Sequence, residues 1–312
     1  MGATPMSNSI PRIRLHVANG EILVAREGLQ ICFYMPHPHA ALKEGVQRAL
    51  DVYLETIGGD ALGSYSDLDG QWQQLDSKGW DVTRRSLHDE AWAYIHLTEA
   101  AQMDDRFDFH YVGKPLGDPD GFYGPEEVSA LAVSLPTEFL ETHGPGRVHE
   151  LALDMAKSLP FSSGHAGLAF LGEPLASSVF HEVEKLALRH PAMDVLSLDG
   201  RSRGIGTRVT GPAWMTFLGP PVLPELGGAA VLRTRLQSPD TTVQELGPDR
   251  AVVTLGPWPE AGDTEQGQTL PAYRELARVL EPWLYQEHPG PPQPNEHALQ
   301  RIRRRLERRF LD

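Results

Sequence analysis

The sequence has one cysteine, no long hydrophobic run and no apolar stretch at its start. Cys32, in the run QICFYM, excludes an internal disulfide framework and is expected to be a buried small hydrophobe. No window approaches the roughly 20 apolar residues that a membrane helix needs. The opening MGATPMSNSIPRIRLHV does not resemble a secretory leader, and Met6 stands where a myristoylation signal needs Ser or Thr. The expectation is a cytoplasmic protein with no membrane contact.

Positive charge is also scarce: 28 Lys and Arg stand against 42 Asp and Glu, a net charge of −14. Such acidity argues against nucleic acid as a direct ligand, because phosphates select Lys and Arg. The imbalance is uneven. Residues 296–312 carry six arginines against Glu296, Glu307 and Asp312, so this tail is at +3 and the remaining chain at −17. An acidic body of this kind suits a basic partner, although acidity also serves solubility alone.

The 312 residues have the length of one elaborate domain, or of two lobes sharing a sheet. RIRLHV, EILVA and LQICFYM read as three strands separated by ANGE and REG turns. In HAALKEGVQRALDVYLETIG, Leu42, Val46, Ala49, Leu50, Tyr53 and Leu54 fall on one helical face, and Gly58 and Gly59 end it. Residues 60–89 are polar and turn-rich. AWAYIHL, RFDFHYVG, VSALAVSLP, HAGLAFLG and AWMTFLG read as further strands, and TTVQELGPDRAVVTLG as a hairpin. Helices are expected in TEFLETHGPGRVHELALDMAKSLP (broken at Gly144-Pro145-Gly146), SSVFHEVEKLALRH, PELGGAAVLRTRLQ and LPAYRELARVLEPWLY. This alternation predicts an α+β fold, mostly antiparallel sheet layered with helices. The domain is placed at 12–285, a Pro-rich link at 286–294 and a basic C-terminal helix at 295–312. The link HPGPPQP is stiff and extended, which makes the tail dispensable for folding.

Candidate chemistry is thin. LPFSSGHAGLAF sets Ser163 two residues from His165, but Phe161 and His165 replace the glycines of a nucleophile elbow, and a triad base normally comes from elsewhere in the fold. A buried strand after a turn is the simpler reading. His37 and His39 have no Cys or carboxylate beside them at zinc-ligand spacing. GRSRGIGTRVTG has Arg201, Arg203 and Arg208 among four glycines, yet Val209 replaces the third glycine of a dinucleotide fingerprint. No catalytic residue, metal site or cofactor is assigned. The segment 99–127 is denser in charge, at −6: Glu99, Asp104, Asp105, Asp108, Asp118, Asp120, Glu126 and Glu127 face Arg106 and Lys114. It interleaves these acids with Phe107, Phe109, Tyr111, Phe122 and Tyr123. It lacks calcium-loop spacing. It is either a solvated loop beside core aromatics or a surface for a basic cleft.

Taken together, FYGPEEVSALAVSLPTEFL, LPFSSGHAGLAF, LALRHPAMDV, GPAWMTFLGPPVLPELGGAAVLR and GDTEQGQTLPAYRELARVLEP resemble the TsiV-type family of type VI secretion immunity proteins, which act against VRR-Nuc endonuclease effectors. The resemblance covers most of residues 20–284 and rests on order and spacing rather than on one motif; the basic tail lies outside it. It implies a non-catalytic cytoplasmic inhibitor that binds a cognate secreted nuclease toxin and blocks its active site. His165, Trp214 and Tyr273 would then hold the fold. The candidate partner-binding residues are Asp104, Asp105, Asp108, Asp118, Asp120, Glu126, Glu127, Phe122 and Tyr123. A hydrolase using Ser163 and His165, and a non-catalytic scaffold, are the alternatives; a homodimer is left open.

Overall fold

In a computed structural model, residues 10–17, 20–88, 91–99, 107–118, 122–195, 197–286 and 308–311 are described. They form one antiparallel sheet with helices against it, so the fold is α+β as expected. The strands are β1 (Arg14–Val17), β2 (Ile22–Met35), β3 (Ser64–Ser66), β4 (Trp72–Gln74), β5 (Ala93–Thr98), β6 (Asp108–Gly113), β7 (Ser129–Pro136), β8 (Ser163–Gly172), β9 (Met215–Leu218), β10 (Thr241–Glu245) and β11 (Ala251–Leu255). Their order across the sheet is β10-β11-β9-β8-β2-β7-β6-β5-β3-β4, and β1 pairs with the first part of β2.

The helices are α1 (His39–Ile57), α2 (Ser77–His88), α3 (Thr137–Ser158), α4 (Phe180–Arg189), α5 (Leu198–Ser202), α6 (Val222–Glu225), α7 (Gly228–Arg235) and α8 (Pro271–Leu280). Helix α1 buries the stripe Leu42, Val46, Ala49, Leu50 and Tyr53. Helix α3 kinks at Gly144, whose φ of 77° is left-handed, immediately before Pro145. Both helices share a core with one face of the sheet, to which β2 contributes Leu29, Ile31, Phe33 and Met35. Each such fully buried side chain stabilises the fold by roughly 1.5–3 kcal/mol. The period of two sends Cys32 and Tyr34 to the opposite face, with Ala130 and Ala132 of β7. Cys32 is a free, buried thiol, and burial pushes its pKa up to about 12. A second core gathers α6, α7 and α8 against β9 and β11.

Three expectations change. EILVA and LQICFYM are one continuous strand, because Arg26-Glu27-Gly28 runs through the sheet instead of turning. Glu27 is 0 % exposed, and its carboxylate accepts from Ile13 N at 2.9 Å, from Thr137 Oγ1 at 3.1 Å and from Arg14. Arg26, also buried, donates to Glu138 Oε2 at 2.6 Å. The charges that suggest a turn are therefore neutralised inside. Residues 60–89 supply β3, β4 and α2. The tail is the third case. Residues 287–307 and 312 lie outside the described residues, but Phe310 is 4 % exposed in the second core, its ring 5.4 Å from that of Tyr273. A buried Phe runs against a dispensable tail.

Candidate functional site

The SSGH segment leads into β8, and its second serine and its histidine are held by separate partners. Ser163 is 1 % exposed and donates to Arg208 O at 2.6 Å. His165 is held elsewhere: Nε2 meets Asp194 Oδ2 at 3.0 Å, and Nδ1 meets Thr210 Oγ1 at 3.2 Å. Burial alone would raise the Asp194 carboxyl. The hydrogen bond and charge of His165, with Arg309 and Arg201 nearby, hold it well below the usual carboxylate range instead. Arg309 also donates to Met193 O at 3.4 Å, which brings its guanidinium over this group. The void beside His165 is about 20 Å³, room for a single water. Trp214 donates its indole N–H to Gly256 O at 3.0 Å, and Tyr273 is buried in the second core. His39, buried, pairs through Nδ1 with Tyr111 Oη at 2.9 Å. These are fold-holding roles.

The acidic stretch divides. Asp104, Asp105 and Asp120 lie outside the described residues. Asp118 and Glu126 are exposed, and Phe122 is 94 % exposed, its ring at right angles to Tyr123. Glu127 is engaged internally: its Oε2 accepts from Lys114 Nζ at 2.7 Å, and the same ammonium donates to Ser202 O at 2.9 Å. Lys114 also lies 5.9 Å from the Tyr123 ring centre. Backbone bonds from Val128 N to Ser202 O and from Gly206 N to Glu126 O clamp this loop to α5. Asp108 is not part of the exposed acidic set. It is buried in β6, its N–H donates to Tyr53 Oη at 3.1 Å, and its Oδ2 meets His96 Nε2 at 2.5 Å.

Asp108 opens onto a cavity of about 460 Å³ on the sheet face away from α1 and α3. Strands β5 and β6 turn Ile95, Leu97, Phe109 and Tyr111 into the core, which leaves Tyr94, His96 and His110 on the other face. His96 stands opposite His110 in the register, so the two rings stack at 4.3 Å and 10°. Next to them β7 offers Ala132 and Ser134, too small to fill the space. Trp72 of β4 meets His96 edge-on at 4.9 Å. Asp199 of α5 enters from the far side, its Oδ2 3.9 Å from His110 Nε2. Burial, and then the neighbouring His96, lower the His110 pKa well below its usual value. Burial raises Asp199, against the charges of Arg203, His96 and Lys114. Tyr94 is pushed up to about 12 by burial and the nearby carboxylates.

Apart from Asp108, these cavity residues are not among the sequence candidates. The available signal was a histidine at the outward position of both AYIHLT and DFHYVG. Asp199 carries no such signal, since only the packing of α5 brings it there. Among the described residues, no three metal-ligating side chains converge on a metal site, and no helix is long and apolar enough to cross a membrane.

No curated protein matches the chain. A T6SS protein of Pseudomonas aeruginosa has a similar structure, with a TM-score of 0.76 and 20% sequence identity over 93% of this chain and 85% of that one. At that identity the likeness shows a shared fold. The family model described as type VI immunity for VRR-NUC matches residues 45–305. The match starts later than residue 20, from which the resemblance was drawn, and runs past residue 284 into the basic tail, which is therefore not outside it. With most of its length matched, the chain belongs to the TsiV family of type VI immunity proteins for VRR-NUC.

Proposed function

We propose that the protein is a cytoplasmic immunity protein that binds its cognate VRR-Nuc effector and occludes the nuclease active site, with no catalysis of its own. Family membership carries the reading. The charge of the chain supports the mechanism. A nuclease must gather phosphate backbone, so its cleft is lined with Lys and Arg. An inhibitor can fill such a cleft by offering carboxylates where phosphates would lie. The segment 99–127 has the required mixture: carboxylates, of which Asp118 and Glu126 are exposed, and an exposed Phe122 beside Tyr123 as apolar anchors. Electrostatic complementarity speeds and orients encounter, and it weakens with salt.

The test is simultaneous charge reversal at Asp104, Asp105, Asp118 and Asp120, with thermal melting as the control for folding. Association with the effector nuclease should slow roughly tenfold or more at low salt, and cells should lose protection. An unchanged association rate with full protection would remove this stretch from the interface.

A further inference from the structure

We infer that the cavity between His96 and Asp199 is a receptor for one arginine side chain presented by the basic partner. The inference rests on the reading that the partner is a nuclease, and it adds a second, deeper contact to the acidic loop.

The lining sets the sign of the ligand. Asp108, Glu173 and Asp199 border the cavity, and no Lys or Arg does among the described residues. Asp108 is matched by His96, but Asp199 is not matched in the same way. Its carboxylate is 42 % exposed, and 3.9 Å to His110 Nε2 is beyond hydrogen-bond reach. Two further polar atoms on lining residues, Gln30 Oε1 and His110 Nε2, are buried without a hydrogen-bond partner. Such atoms cost stability when left unmade. The site thus holds three carboxylates and an unpartnered amide oxygen, with no cationic side chain among its described lining residues.

The walls select among cations. A guanidinium offers five N–H donors in a rigid plane, is weakly hydrated and stacks on aromatic faces; an ammonium does none of these as well. Tyr94 and Trp72 supply aromatic walls. The rim is apolar. Of the seven large hydrophobic side chains exposed among the described residues, Trp72 and Leu175 border this cavity, and Leu68 and Trp92 border the groove that shares Tyr94 and His96 with it. Exposed apolar groups around a polar socket exclude water from it once a partner is seated. Phosphates, by contrast, would meet three carboxylates.

The cavity and the acidic loop share one frame. Helix α5 carries Asp199, and Ser202 of the same helix accepts from both Lys114 Nζ and Val128 N.

The experiment compares binding of the purified cognate effector nuclease to the full-length wild type and to Asp199→Asn and Trp72→Ala, each checked by thermal melting. Both variants should lose at least tenfold in affinity, mainly through faster dissociation. Charge reversal at exposed Asp118 and Glu126 should instead act on association. If either cavity variant melts early, the other decides. Wild-type dissociation rates in the folded variants would overturn the socket and leave the immunity reading standing. Failure of the wild type itself to bind would overturn the immunity reading, and this inference with it.

Discussion

Phe310→Ala tests the tail, where packing and sequence composition disagree most. The side chain is 4 % exposed among Tyr273, Leu276 and Leu280 of α8, and its ring lies 5.4 Å from that of Tyr273. Truncating a buried Phe in a fixed core costs about 3–5 kcal/mol. Residues 308–311 form a single turn that can settle into part of the space, so the lower end, about 3 kcal/mol, is expected. At about 2 cal/mol/K of unfolding entropy per residue, a 312-residue chain then loses about 4–5 °C in melting temperature. Phe310→Leu should recover more than half of that. Deleting everything after Tyr285 should cost at least as much as Phe310→Ala. Circular dichroism melts of the three variants provide the assay. A Phe310→Ala protein that melts within about 1 °C of wild type would show that the second core does not need the tail.

Other outcomes follow from the buried polar groups. Glu27→Ala should lower stability by about 3–5 kcal/mol in urea titrations, because Thr137, Arg14 and Ile13 N lose their common acceptor; a loss under about 1 kcal/mol would contradict the network. Ser163→Ala removes one bond to Arg208 O and should cost about 1 kcal/mol with protection intact. If the protein proves to hydrolyse an ester, and this change abolishes turnover while folding is kept, the fold-holding role of the segment is wrong. The carboxyl pKa is lowered to about 2 at Glu138, where Arg26 and Arg14 outweigh burial, and at Asp263, chiefly through Arg189. Asp194 is lower still. Folded-state values below the unfolded ones mean that the unfolded chain binds more protons in acid. Stability should therefore be intact at neutral pH and fall as pH drops below about 4 toward about 2. Buried neutral His110 adds a loss in the same direction that starts below about 6.5. Melting temperatures that stay flat from neutral pH down to about 3 would refute these assignments.

Regular periodicity made much of the architecture legible. Helix α1 announces itself through Leu42, Val46, Ala49 and Leu50, and β7 and β8 through the short apolar runs ALAV and GLAFLG. Gly144-Pro145 marked the kink in α3. The failures share a cause: each depends on a partner distant in sequence. Arg26-Glu27 looks like a turn until Arg14, Thr137 and Glu138 arrive to neutralise it. Ser64–Ser66 and Trp72–Gln74 carry no apolar alternation and become strands by pairing in a chain from β5. Phe310 follows a proline-rich stretch that suggests a detached tail, yet Tyr273 receives it. The candidate site divides the same way. Acidity and aromatics near 99–127 were visible, and exposed Phe122 sits among them. The socket was not, because it needs the β5–β6 register to stack His96 on His110 and α5 to bring in Asp199.

The central claim is occlusion of a nuclease, and stoichiometric inhibition measures it most directly. DNA cleavage by the purified cognate VRR-Nuc effector is followed while the full-length protein is titrated in, at two DNA concentrations. The account predicts that cleavage falls to background at a fixed molar ratio, and that excess DNA added before the protein delays inhibition. A stable complex that still cleaves DNA at the full rate, or a nuclease that ignores the protein at any ratio, would contradict it.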